Sequence, residues 1–139
     1  MIELDLRGLL ELRAELESGA LFGPAQGAPP HDLELPPLLT VAWLEEPPGS
    51  TLEDVVGEEL ARGGPATLLI DRETVRLGDA DAVRTFTLHR GPLGQATASE
   101  QWRALAGGRR WTVSALTALH DQPQWGPRLA AIAGGLRPR

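Results

Sequence analysis

Hydrophobic and polar positions along this chain repeat with two different periods, and the switch between them organises it. Near the start, Leu6, Leu9, Leu10, Arg13 and Leu16 fall at spacings of three and four, with Glu11, Glu15 and Glu17 largely off that stripe. This spacing predicts an amphipathic helix ended by Ser18-Gly19. The alternation Ile2-Glu3-Leu4-Asp5-Leu6 is a competing strand signal. Gly23 to Pro30 reads as a loop by composition. Pro36 and Pro37 bar a strand before about Leu38, after which Leu39, Val41 and Trp43 would share a face. Glu45 to Gly49 breaks that strand. Ser50-Thr51-Leu52-Glu53 then has the form of a capping box with Ser50 as N-cap. The helix that follows lines up Leu52, Val55, Val56 and Leu60 and stops at Gly63-Gly64.

Beyond that point the period shortens to two. Ala66 to Ile70 and Glu73 to Leu77 read as two short strands either side of Asp71-Arg72, with a turn at Gly78 to Asp81. Three longer segments follow, Ala82 to Arg90, Gln95 to Leu105 and Arg110 to Leu119, joined by glycine-bounded connections of about four residues. Connections so short exclude the crossover that parallel pairing needs, so the three form an antiparallel meander. Each offers a half-apolar face: Arg84, Phe86 and Leu88; Ala96, Ala98 and Trp102; Trp111, Val113 and Ala115. A closing helix begins either with Asp121 capping Gln122-Pro123-Gln124 or with Pro127 opening Arg128 to Ala133. It buries Leu129 and Ile132 and ends at Gly134-Gly135. The elements together make an α+β fold, a mostly antiparallel sheet of about five or six strands with a C-terminal three-strand meander, flanked by two or three helices. The 139 residues suffice for a single domain over 1–139, with a helix-like segment and Gly/Pro loop over 1–30 and an α+β core over 33–139.

Composition narrows the chemistry. Without cysteine there is no disulfide framework, thiolate nucleophile, cysteine-ligated zinc or iron–sulfur cluster. No apolar run reaches 18 residues, so no membrane span is expected. The opening Met1-Ile2-Glu3-Leu4-Asp5 lacks the basic region and apolar stretch of an export signal, which points to the cytoplasm. Charge is segregated. Residues 1–60 carry 13 acids and 2 arginines, a balance of −11, whereas residues 61–139 carry 6 acids and 11 arginines, a balance of +5. The net charge of −6 disfavours nucleic acid as a partner. All 13 cations are arginines, and lysine, asparagine and tyrosine are absent, a bias of GC-rich genomes that warns against reading each arginine as chosen for its guanidinium.

The order of motifs resembles a known family. A capped helix S-T-L-E-D-V-V is followed by short strands and L-G-D-A-D-A-V-R-T-F-T-L. A polar strand with E-Q-W comes next, then G-G-R-R-W-T-V-S-A-L and a last helix ending G-L-R. Over roughly Leu38 to Arg137 this pattern resembles the Mog/PsbP-like superfamily, including DcrB-like and LpqN-like bacterial proteins. The resemblance implies an antiparallel sheet flanked by helices, and binding rather than catalysis, as in adaptors, effector chaperones and accessory subunits. The chain departs from the pattern at its N-terminus, where a helix-like stretch stands in place of the usual first hairpin, and in having no export signal.

Candidate chemistry is sparse. Two His-Asp pairs, His31-Asp32 and His120-Asp121, invite a metal or acid/base reading. Both aspartates stand where capping explains them, and with His89 there is no metal-ligand spacing, so no catalytic residue, metal or cofactor is expected. Trp43 and Trp111 belong to the core. Trp102 and Trp125 either seal sheet against helix or line a groove as anchors. The helix 52–60 should turn Glu53, Asp54, Glu58 and Glu59 to water, leaving Arg84, Arg103 and Arg110 free on one exposed face of the meander. The candidate binding residues are therefore Arg84, Arg103, Arg110, Trp102 and Trp125. The function expected is that of a non-enzymatic binding or adaptor module for a protein partner, compatible with a homodimer. The alternative is a small-molecule or lipid-like ligand binder with its cleft between the sheet and the C-terminal helix.

Overall fold

The structure is a computed structural model that describes residues 2–62, 66–91 and 94–138. Seven strands form one sheet in the order β1-β2-β3-β7-β6-β5-β4, every neighbouring pair antiparallel. They are β1 (Leu10–Leu16), β2 (Gly19–Pro24), β3 (Leu38–Glu45), β4 (Thr67–Leu77), β5 (Ala80–Arg90), β6 (Ala96–Ala106) and β7 (Arg109–Ala118). Helix α1 (Leu52–Ala61) joins β3 to β4, and α2 (Gln122–Ala133) follows β7 through a short 3₁₀ turn, Leu119–Asp121. The α+β class and the meander over β5, β6 and β7 are as expected. The sheet has seven strands where five or six were expected, because the N-terminal segment pairs as well. Among the described residues no helix is long and apolar enough to cross a membrane.

The N-terminal helix expectation is corrected to a hairpin. Arg7 and Gly8 take positive φ, 56° and 69°, and turn the chain into β1. The register of β1 on β2 then shifts between Leu12 and Ala14, so Arg13 is an extra, bulged residue. Leu10, paired with Pro24, is buried, whereas Leu16, paired with Gly19, is exposed, so the spacing of three that imitates a helical stripe does not mark one face. Gly19 opens β2 rather than ending a helix. A Cβ there would stand 2.5 Å from the Val41 carbonyl oxygen, so only glycine lets β3 approach. The same physics merges the two short strands expected around Asp71-Arg72 into β4, whose register on β5 shifts between Leu69 and Asp71. Both edge strands thus carry a bulge.

Alternation along β6 sends its side chains to two covered faces. Trp102 and Ala104 join the main core with Phe22, Leu39, Val41, Trp111, Val113 and the α2 residues Trp125, Leu129 and Ile132. Arg103 points the other way, where α1 lies against β5 and β6 through Val55 and Val56. The α1 N-cap is Thr51, one residue after the expected Ser50, and its side chain accepts the Asp54 N–H at 3.2 Å. Ser50 instead donates to the Pro47 carbonyl. The expected stop at Gly63-Gly64 lies outside the described residues.

The arginines are not left free on one face. Arg84 pairs across the strands with Trp102 and so lies on the α2 side, opposite to Arg103 and Arg110. It bonds Glu100 and Asp71, with Glu73 at 3.3 Å. Desolvation opposes its charge, but these carboxylates, Glu100 above all, outweigh it and raise its pKa above the ordinary value. Arg103 is buried against Glu59, Gln101 and Thr85, and Arg110 holds Glu46 by two bonds of 3.0 and 2.9 Å while standing 3.6 Å from Glu59. Burial, reinforced by the neighbouring charge of Arg110, pushes the Arg103 guanidinium down to about 10. Glu59, expected in water, is the counter-ion that makes burying two cations tolerable. Glu59→Ala is therefore expected to cost about 3 kcal/mol in urea unfolding. The exposed Glu53, which meets Arg72, should cost under about 1 kcal/mol when changed to alanine. Equal losses would show that the Glu59 contacts are surface pairs in energy.

Candidate functional site

The segment between β2 and β3 contains Pro29, Pro30, Pro36 and Pro37, which cannot donate to a sheet ladder. It is tied down by side chains instead. Trp125, fully buried, donates its Nε1–H to the Pro30 carbonyl at 3.1 Å. The His31 ring meets the Trp125 ring edge-on, with centroids 5.9 Å apart, and its Nδ1–H donates to the Asp32 carbonyl at 2.8 Å. The Asp32 backbone N–H donates to Asp121 Oδ2 at 2.8 Å. Asp32 Oδ1 in turn accepts the N–H groups of Glu34 and Leu35 at 2.9 and 2.8 Å, closing a tight turn.

These ties bring the two His-Asp pairs together. His120 Nε2 lies 3.4 Å from Asp32 Oδ2 and 3.8 Å from Asp121 Oδ1. The Leu35 amide holds the Asp32 carboxyl below its ordinary 3.8 against the effect of desolvation, helped by the Glu34 amide and by His120 and His31. Beside this cluster opens a cleft of about 580 Å³, lined by Asp32, Glu34, Leu35, Gln95, Ala96, Ala118, Leu119 and His120. It is bounded by the start of β6, the end of β7, the proline-rich loop and the 3₁₀ turn, and its surface is mainly apolar. Pockets of this size suit small ligands.

One oxygen of Asp121 and one of Asp32 accept backbone amides. The lining includes no hydroxyl or thiol to serve as a nucleophile. Among the described residues no group of three or more His, Asp or Glu side chains stands close enough to hold a metal ion.

The residues singled out from sequence lie elsewhere. Trp102 is 6% exposed and Trp125 wholly buried, so both seal sheet against helix. The cleft expected between the sheet and α2 is filled by those two rings with Leu129 and Ile132. Trp125 sits inside α2 rather than in a turn, and Pro127 is an interior residue of that helix. Asp121 makes no side-chain cap to α2 and serves the Asp32 amide instead. What sequence reasoning missed was the meeting of the two His-Asp pairs; their repetition was the available signal, and each aspartate was read as a local cap.

Comparison with solved structures identifies the fold. PA94 of Pseudomonas aeruginosa, a protein of unknown function, aligns with a TM-score of 0.68 and 16% identity over 95% of this chain and 99% of its own. LpqN of Mycobacterium tuberculosis, involved in cell envelope biogenesis, gives 0.70 and 16% over 95% and 79%. PsbP of the cyanobacterium Synechocystis gives 0.58 and 14% over 95% and 94%. The chain has a PsbP-like fold. The resemblance drawn from the motifs therefore holds at the level of fold, and it includes the N-terminal hairpin that seemed to be missing. No protein-family model matches the chain, and no curated protein matches it in sequence.

A carboxylate whose folded-state pKa is depressed stabilises above its unfolded value and stops doing so as pH falls through the folded value. The Asp32 turn should accordingly open at a lower pH than that at which an ordinary aspartate titrates. The Leu35 amide resonance is expected to titrate with a midpoint under 3.8. A midpoint at or above that value would mean that Leu35 does not bond the carboxylate.

Proposed function

We propose that this chain is a non-catalytic binding module whose ligand site is the cleft walled by the 25–37 loop and the 3₁₀ turn after β7. The observation that carries the reading is the 580 Å³ mainly apolar cleft, held open by bonds between residues some 89 positions apart. Leu119, 40% exposed at its wall, is apolar surface that a ligand would cover. The fold neighbours support only the architecture of such a module.

A second reading, a protein partner, draws on a separate feature. β4, the last strand of the described sheet, exposes Leu68, Leu69 and Ile70 in succession, 61, 43 and 50%. An extended peptide adding to that edge is the matching recognition mode.

The two are separable by one pair of variants. Ala96, an exposed lining residue at the start of β6, can be enlarged without touching the core. Ala96→Trp is expected to weaken binding of the neutral apolar dye Nile red about tenfold, a loss of roughly 1.4 kcal/mol, with little change in melting temperature. Leu69→Lys/Ile70→Lys should leave dye binding unchanged. If the Lys pair abolishes dye binding and Ala96→Trp does not, the site is the β4 edge.

A further inference from the structure

We infer that the occupant of the cleft is an organic cation, a molecule with an apolar body and a single ammonium or amidinium head. The inference rests on the cleft being the binding site and adds the sign of the ligand's charge. Elsewhere in this protein arginine and carboxylate meet repeatedly: Arg84 with Glu100, Arg103 with Glu59, Arg110 with Glu46, Arg72 with Glu53. At the cleft they do not. Asp32 and Glu34 both line it, and among the described residues no arginine does and neither carboxylate has a guanidinium within ion-pair distance. The one basic lining group, His120, is two-thirds exposed and stands 3.4 Å from Asp32 Oδ2.

The geometry orders the two ends of such a ligand. Leu35, Ala96, Ala118 and Leu119 supply apolar lining, and the two lining carboxylates, Asp32 and Glu34, both come from the proline-rich loop. Asp32 Oδ1 is engaged by the Glu34 and Leu35 amides, which fixes the group in place and leaves Oδ2 facing His120. A fixed carboxylate at an apolar mouth attracts a cationic head without having to reorganise, and partial exclusion of water strengthens that attraction. An anionic ligand would meet two like charges and no compensating arginine.

The test compares three probes of one shape, octylammonium, 1-octanol and octanoate, titrated calorimetrically against the full chain at low salt. All three titrations are run in the same buffer and at the same pH. The expected order is octylammonium tightest and octanoate weakest, with octylammonium about tenfold tighter than octanol. In Asp32→Asn/Glu34→Gln, where the Asn carbonyl can still accept the turn amides, the preference should vanish while octanol binds as before. Ala96→Trp should weaken all three. Equal binding of the three probes to the native chain, with Ala96→Trp still weakening them, overturns the charge inference and leaves the cleft standing. A cation preference that survives in the double variant also overturns it. Absence of binding by any probe, or indifference to Ala96→Trp, overturns both the inference and the site on which it rests.

Discussion

The burial of Trp125 is the constraint on which the site depends. An indole N–H is a donor only, and a buried donor without an acceptor costs about 1–3 kcal/mol. The acceptor here is the Pro30 carbonyl, so the ring cannot be buried at this cost-free geometry unless the proline-rich loop crosses α2 at that point. Its environment is built around it. Gly126 leaves room for Gln122, whose Oε1 accepts the Thr117 hydroxyl at 3.1 Å, and a Cβ at 126 would come within 2.2 Å of the Gln122 amide nitrogen. With the loop pinned at Pro30, Asp32 reaches Asp121, and the wall of the cleft follows.

Charge and sheet topology answer each other in the same way. An acidic first half and a basic second half suggested opposed surfaces, yet α1 passes over one face of the sheet on its way from β3 to the edge strand β4. That path carries Glu59 onto Arg103 and Arg110, while Glu46, just past β3, reaches Arg110. Much of the segregation in sequence is therefore neutralised within the fold. Among the described residues the carboxylates of the 25–37 loop meet no arginine and stand outside that exchange.

The meander was legible because glycine-bounded connections and half-apolar segments allow one pairing, and each strand's faces follow from alternation. The edge strands were not, since a single bulged residue, Arg13 or Ile70, resets the alternation and imitates another period. The fate of Glu59 was within reach: it lies three and four positions after Val56 and Val55, on the docking stripe of α1, and a charge there needs a buried partner. That Arg84 and Arg103 face opposite ways also follows from their register on adjacent strands, which sequence does not supply. The cleft was hidden for a different reason. Its walls come from a loop without periodicity and a 3₁₀ turn far along the chain, joined by backbone-to-side-chain bonds that leave no mark on local pattern.

The most direct test of the account is to locate the bound probe. Methyl-labelled protein, titrated with octylammonium and followed by NMR, reports separately on Leu35, Ala96, Ala118 and Leu119 in the cleft and on Leu68, Leu69 and Ile70 at the β4 edge. The account predicts saturable shifts at the first group, with contacts from the alkyl chain to Leu35 and Leu119, and an undisturbed second group. Saturable shifts confined to the β4 edge, with the cleft methyls unmoved, would contradict it.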